Sequence, residues 1–431
     1  MTLIDARTVA ADPLSTARLL DAGLEYRVVD MADAASAAAF ARADARGFLD
    51  ADPDEELIGR LRRSWAGRRN IGVYEPGASA EALPVATLNS WVAPMTIPGG
   101  DIPMWAISAV TVAGTHRRRG IARNLLEGEL RAAASAGVPI AGLTVSEATI
   151  YGRYGFAPAL PAARVVIDTR RAGWIGADVP GRLEYVDRAP LAVDLGELHD
   201  VSRGRRAGQI PGWEQRWSRA AGLAEDGKGR DVRGVRYVDA EGRTRGALAY
   251  VLKQEPGQFR FTLAINFLVA ETDEALRALW GFAINHDLVT SVECDLRPVD
   301  DPILHLVADQ RAVEFTVHDH GWLRVLDVPA VLGARSYRAP LDVVLRVEDS
   351  LGFAEGTWRL KVAADGRGSA SATDAAADVT MTVVELSAIY AGGVRATQLA
   401  AAGRIRGDHE MLAGLDDAFR TADAPLLGIW Y

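Results

Sequence analysis

Between Ser108 and Leu130 the chain reads SAVTVAGTHRRRGIARNLLEGEL: an extended apolar run, a break, three consecutive arginines, a glycine, and an apolar repeat at helical spacing. Ala109, Val110 and Val112 suit a buried strand, which Gly114-Thr115-His116 ends. Ile121, Leu125, Leu126 and Leu130 fall on one helical face, so a helix opens near Gly120. A helix start leaves amide donors free and carries about half a positive charge. The arginines add fork-shaped donors, Gly120 lets a ligand approach the backbone, and Ala122 keeps the next turn unobstructed. A strand that ends at such a helix start predicts a seat for a pyrophosphate. It is not a Walker loop, which needs Gly-Lys-Ser/Thr, and Gly120 lacks the spaced companions of the dinucleotide-binding turn.

The chain has 431 residues, 49% of them hydrophobic and 24% charged, an ordinary globular balance with length for two to four domains. A net charge of −9 argues against a nucleic-acid partner and suits a cationic small substrate. Cys294 is the one cysteine, which excludes an intramolecular disulfide and a thiolate zinc cluster; beside Val292 and Leu296 it reads as a small buried hydrophobe. The histidines lack regular ligand spacing, His318-Asp319-His320 reads as a domain linker, and no metal is expected. The opening residues lack the pattern of a signal peptide and no window is long and apolar enough for a membrane span, so a cytoplasmic protein without a membrane partner is expected.

Along the chain, residues 1–23 read as an N-terminal extension and 24–29 as a first strand. An alanine-rich helix follows over 34–46, and Asp52-Pro53-Asp54-Glu55-Glu56 starts a helix carrying Leu57, Leu61 and Trp65. Strands are expected at 71–74 and 85–92, with a turn at 98–101. After the central helix, Gly137-Val138-Pro139 is a stop and 140–145 a buried strand, ending in Ser146-Glu147 ahead of ATIYGRYGFAP. The order strand, helix, strand is α/β. A second unit of the same order occupies 181–296, with strands within 231–252 and 258–269, a helix over 272–284 and a strand at 291–296. From Gly321 the pattern is α+β: strands at 322–326, 342–347, 356–362 and 377–383, then helices at 384–390 and 410–422.

Arg117-Arg118-Arg119-Gly120-Ile121-Ala122 resembles the Arg/Gln-x-x-Gly-x-Gly/Ala loop of the Gcn5-related N-acetyltransferases, and IYGRYGF resembles their tyrosine-bearing turn. The second unit resembles another such fold in which Ala270-Glu271-Thr272-Asp273-Glu274 replaces the basic loop, and GWLRVLDVPAVLGARSY resembles the opening of sterol-carrier-protein-like domains. The fold class implied is α/β plus α+β: a catalytic acetyltransferase fold over 24–162, a degenerate one over 163–317, and a sterol-carrier-like domain over 318–431. The order of motifs resembles the enhanced intracellular survival (Eis) acetyltransferases of actinobacteria, whose members form hexamers and acetylate amines of aminoglycosides and, in some cases, protein lysines. The resemblance implies acetyl-CoA as co-substrate, an amine-bearing small molecule as acceptor, and a homo-oligomer.

Position by position, the resemblance puts acetyl-CoA contacts on Val110, Thr111, Val112, Arg118, Arg119, Gly120, Ile121, Ala122, Arg123, Ser146 and Glu147. It makes Tyr151 the general acid, since a phenol stays protonated until a thiolate departs; Tyr154, three residues on, is its rival. The apolar tail Leu426-Leu427-Gly428-Ile429-Trp430-Tyr431 should be buried, and the resemblance sends the α-carboxylate of Tyr431 into the site as base. A free α-carboxyl titrates near 3.5, so that role requires desolvation or a water relay. Phe48, Asp50, Trp65 and Trp430 are candidate acceptor contacts, Trp430 standing where the family carries an acidic residue. Acetylation of lysines or polyamines stays open beside aminoglycosides. So do a non-catalytic acetyl-CoA sensor and a lipid-binding protein.

Overall fold

A computed structural model of the chain describes residues 3–223 and 229–431. They form two compact units: one comprises the chain up to Ala159 with Gly321–Thr421 and Tyr431, the other Leu160–His320 with Ala422–Trp430.

The chain opens with α1 (Pro13–Asp21), capped by the Asp12 side chain on the Ser15 amide, with Leu19 fully buried. Residues read as an extension thus contribute to the core. Then come β1 (Glu25–Val28), α2 (Ala34–Gly47), α3 (Glu55–Trp65), β2 (Arg69–Tyr74), β3 (Ala86–Ile97), β4 (Gly100–Val112), α4 (Ile121–Ser135) and β5 (Ile140–Thr144). Asp33 and Asp54 cap α2 and α3 through their side chains, and Glu55 and Glu56 in the first turn of α3 suit the helix dipole. The alanines of α2 let it lie close to the sheet: a Cβ on Gly47, its last residue, would overlap Thr111 of β4.

The first unit's sheet runs β1-β2-β3-β4-β5. β3 and β4 form a hairpin turning at Pro98-Gly99, in register from Ile97 opposite Gly100 to Ala86 opposite Val112. The hairpin is far longer than the separate short strands read from the sequence. Its register shifts between Thr87 and Asn89, and opposite that shift Ala109 takes a left-handed φ of 54°. This is a bulge, and a non-glycine held there stores strain of about 1–3 kcal/mol.

The middle of the chain holds β6 (Ala157–Asp168), α5 (Thr169–Ala172), β7 (Arg182–Val186), α6 (Arg188–Ser202), α7 (Glu214–Ala220), β8 (Arg233–Val238), β9 (Thr244–Gln254), β10 (Phe261–Ala270), α8 (Asp273–Ile284), β11 (Val289–Arg297) and β12 (Val313–Val325). The second unit's sheet runs β6-β11-β10-β9-β8-β7, and α8 joins the parallel pair β10 and β11 as α4 joins β4 and β5. Cys294 lies in its core, where burial pushes the thiol up to about 12.

The last third contributes α9 (Val328–Ala334), β13 (Leu341–Glu348), β14 (Gly356–Val362), β15 (Gly368–Ala372), β16 (Val379–Thr382), α10 (Val383–Tyr390), α11 (Ala396–Ala401), β17 (Arg406–Gly407) and α12 (His409–Phe419). Its sheet runs β15-β14-β13-β16-β17, and Thr382 and Glu385 form a capping box at α10. The stretch read as the first strand of this α+β region instead completes the first sheet. Gly321 to Val325 pair antiparallel with Thr144 to Ile140 of β5. Arg324, on that strand, is fully buried; it grips Asp349 at 2.7 and 2.8 Å and donates from Nε to the Tyr154 carbonyl at 3.1 Å. Among the described residues no helix is long and apolar enough to cross a membrane.

Glu129 on α4 fixes that helix to the sheet. It accepts from Arg69 Nε at 3.1 Å, Ser90 Oγ at 2.5 Å, Trp105 Nε1 at 3.1 Å and Tyr26 Oη at 3.4 Å, one donor from each of β1 to β4. Both members of the Arg69–Glu129 pair are fully buried. Removing one partner of such a pair leaves an uncompensated charge. Glu129→Ala is therefore expected to lose about 3–5 kcal/mol, read as a fall in the urea midpoint. A loss below about 1 kcal/mol would show that α4 is held by apolar packing alone.

Candidate functional site

β4 and β5 pair in parallel only from Met104 opposite Ile140 to Ile107 opposite Leu143. Beyond that point they part. β4 follows β3 to Val112, while β5 ends at Thr144, whose other edge pairs with Gly321. The bulged segment from Ala109 onward lies past that point on β4, and the chain runs on from it to the start of α4. There Gly120 adopts φ 75° and no side chain caps the helix. The first amides of α4, on Ile121, Ala122 and Arg123, are therefore open to an anion, with Arg118 also held in a left-handed turn at φ 63°.

The cations around this helix start are not equivalent. Arg119 donates to the Ala22 carbonyl at 3.1 Å and Arg123 to Glu127 at 2.6 Å, whereas Arg117 and Arg118 are exposed with no side-chain partner among the described residues. Val110 and Val112 are half-buried against the core. Thr111 is buried with its hydroxyl 2.6 Å from that of Thr87, so backbone is what this residue can offer a ligand. Ser146 and Glu147 are exposed just past β5.

Tyr151 follows on a single 3-10 turn, its ring edge-on to Phe156. Burial chiefly, then the charge of Glu147 and the neighbouring Tyr154, hold its phenol above the ordinary tyrosine range. Its hydroxyl has no hydrogen-bond partner among the described residues, so its proton is available. Tyr154, also raised by burial, is tied down through its carbonyl by Arg324.

Tyr431 is seated in the first unit. Its main-chain oxygen accepts from Thr144 Oγ1 at 2.7 Å, its ring meets Trp91 edge-on at 5.2 Å, and its hydroxyl lies 3.1 Å from where a Cβ on Gly142 would be. The phenol is desolvated and held above its usual range. The chain end thus rests on the last residue of β5, where the two parallel strands separate.

The remaining candidates divide. Phe48 and Asp50 are exposed after α2. Trp65 is core: it is 7% exposed and packs edge-on against Phe40, so burial of an apolar ring explains it without a ligand. Trp430 belongs to the second unit, where its ring meets His320 at 4.4 Å and its carbonyl accepts from Arg216. Asp44, Arg68, Asn89 and Trp91, none of them singled out in the sequence, gather on one face of the first sheet. Arg68 stacks 3.8 Å over the Trp91 ring and donates to Asn89 Oδ1 at 3.1 Å. Asp44 carried a readable signal, an acid at helical spacing from buried Ala37, Phe40 and Ala41.

The second unit answers each feature differently. Thr272 caps α8 through the Ala275 amide, and Asp273 and Glu274 fill its first turn. Where β10 and β11 part, Arg297 donates to the Leu268 carbonyl at 3.1 Å and pairs with Asp301. Its helix start is thus acidic and capped, and its gap is bridged by the chain itself.

A Cβ on Gly120 would meet only Asn124 Nδ2, at 3.9 Å and without a clash, so a methyl group there acts through the backbone. Gly120→Ala is expected to strain the left-handed turn by about 1–2 kcal/mol and to weaken CoA binding several-fold, measured by calorimetry. Unchanged affinity would show that the helix start does not hold the phosphates.

Comparison with known proteins follows the same division. Family models for an acetyltransferase (GNAT) domain match residues 29–159 and 208–325, and one for a sterol carrier protein domain matches 328–428. A protein of Streptomyces avermitilis named as an uncharacterized N-acetyltransferase is 34% identical over 404 residues, 91% of this chain and 95% of the relative. The N-acetyltransferase Eis of Mycobacterium tuberculosis is 33% identical over 345 residues, 77% of this chain and 82% of the relative. The crystal structure of Eis1 from Mycobacterium abscessus superposes with a TM-score of 0.80 at 28% identity, covering 94% of this chain and all (100%) of that one. The chain is an acyltransferase of the Eis family of N-acetyltransferases, with two acetyltransferase folds followed by a sterol-carrier-protein-like domain.

Proposed function

We propose that the first unit transfers acetyl directly from acetyl-CoA to a primary amine of an aminoglycoside-like polycation, in a complex that holds both substrates. The observation that carries this reading is the gap between β4 and β5, with an uncapped helix start at one end and the buried Tyr151 phenol following β5. In this reading the α4 amides, Gly120 and the arginines from Arg117 onward take the pyrophosphate, with Ser146 and Glu147 at the edge of the cleft. The backbone of Val110, Thr111 and Val112 takes the pantetheine arm, and an amide of the bulge steadies the thioester oxygen as it gains charge.

The amine nitrogen attacks the thioester carbon, the carbon–sulfur bond breaks, the leaving thiolate takes the Tyr151 proton, and the proton that the acylated nitrogen then sheds returns the phenolate to phenol. The Tyr431 carboxylate, held by Thr144, receives the proton that the acceptor ammonium must lose first. Positioning supplies most of the acceleration, because a neutral amine and a thioester react once aligned. The choice of a polycation is supported by the net charge of −9 and by the exposed carboxylate and ring that Asp50 and Phe48 offer after α2. A hexamer in the cytoplasm belongs to the same reading and rests on the family resemblance.

The test is release of CoA thiol with aminoglycosides, polyamines and lysine peptides as acceptors. Tyr151→Phe is expected to lower kcat about 10²–10⁴-fold at little change in acetyl-CoA KM. Because the acid must be protonated and its pKa is raised, ionisation of Tyr151 should not reduce kcat below pH ~10. A chain ending at Trp430 should lose turnover while still binding acetyl-CoA. Full activity of Tyr151→Phe removes the phenol from the mechanism, and turnover confined to lysine peptides replaces the small polycation by a protein acceptor.

A further inference from the structure

α2 carries one acid on its inner stripe. Ala37, Phe40 and Ala41 are almost wholly buried, and Asp44 follows them at helical spacing, one turn before Gly47 meets Thr111. Asp44 Oδ1 is shielded from solvent and accepts no hydrogen bond, and no cation forms an ion pair with this carboxyl among the described residues. Arg68, whose charge does reach Asp44, is engaged elsewhere, on Asn89 Oδ1 and over the Trp91 ring. On β3, Asn89 Nδ2 is likewise buried with no acceptor. Trp91, two residues on, abuts the Tyr431 ring.

A buried acceptor and a buried donor, neither with a hydrogen-bond partner among the described residues and both close to Arg68, carry a desolvation penalty that the charge of Arg68 offsets only in part and only for Asp44. One kind of ligand relieves both: a protonated amine for the carboxylate, with a neighbouring hydroxyl oxygen for the amide. The geometry points to Asp44 and Asn89 as a subsite for a hydroxylated amine, the ammonium seated on Asp44. This deepens the reading of the first unit as an amine acetyltransferase, and rests on it, by naming the group that fixes the acceptor.

Burial first, then the charge of Asp50, pushes the Asp44 carboxyl up to about 7, with Arg68 pulling the other way. β3 and β4 add neutral Asn89, Trp91 and Thr111. The free site is therefore partly protonated at neutral pH. An ammonium favours the ionised form, so its binding releases a proton and tightens as pH rises through 7.

The experiment is calorimetric titration of the full chain with 2-deoxystreptamine at pH 7, in two buffers of different ionisation enthalpy. Wild type should bind with net proton release. Asp44→Asn, nearly isosteric and checked by thermal melting, should bind at least tenfold more weakly without that release. Equal affinity and equal proton release in the two proteins overturn the subsite, as does failure of the wild type to bind. CoA release run alongside separates this from the broader reading. Turnover on 2-deoxystreptamine with the same acceptor KM in Asp44→Asn sinks the subsite alone; binding that depends on Asp44 without any turnover supports the subsite and sinks the transferase reading.

Discussion

A fully buried ion pair between Arg69 of β2 and Glu129 of α4 sets where the helix lies on the sheet. The cost of desolvating two charges is met only because Ser90, Trp105 and Tyr26 also donate to Glu129, and because Arg69 donates further to the carbonyls of Val9 and Ala10. Apolar contacts from Leu125, Leu126 and Leu130 would tolerate a small slide of the helix; a carboxylate with four directional donors does not. That position decides where the start of α4 falls relative to the parting of β4 and β5. The open amides, the left-handed Gly120 and the bulge at Ala109 are useful together only in that register.

The two acetyltransferase folds show how little separates an open cleft from a closed one. Both have a parallel strand pair joined by a helix, and both pairs part toward the same end. In the first, Gly120 offers no side-chain cap; in the second, Thr272 satisfies an α8 amide and two acids occupy the first turn. Arg297 then bridges the second gap to the Leu268 carbonyl. An anion would meet open amides and Arg117 and Arg118, unpartnered among the described residues, in one fold, and carboxylates with a capped helix in the other. The topology is shared, and the chemistry is set by a few side chains at a helix start.

Local pattern carried much of this. α2, α4, β5 and α8 were legible because apolar spacing and caps act over one or two turns, and the basic loop was legible because charge at a helix start has few other uses. What was hidden is non-local. The β3–β4 hairpin depends on pairing across Pro98-Gly99, and Gly321–Val325 completes the first sheet by pairing with β5, about 180 residues earlier in the chain. Arg119 matched a phosphate-binding loop but is held by Ala22, 97 residues away. Trp65 looked like a pocket aromatic and is core, whereas Asp44, passed over in the sequence, has a carboxyl oxygen shielded from solvent. In each case the partner that decides the role lies on another element, which periodicity cannot report.

The central claim is that one acetyl-CoA site is open in this chain and the second fold is closed by its own side chains. Isothermal titration of the full chain with acetyl-CoA tests it through stoichiometry, with Arg117→Glu/Arg118→Glu as the comparison. The account predicts one molecule bound per chain, with binding abolished by the charge reversal. Two molecules per chain, or one that persists after the reversal, would contradict it.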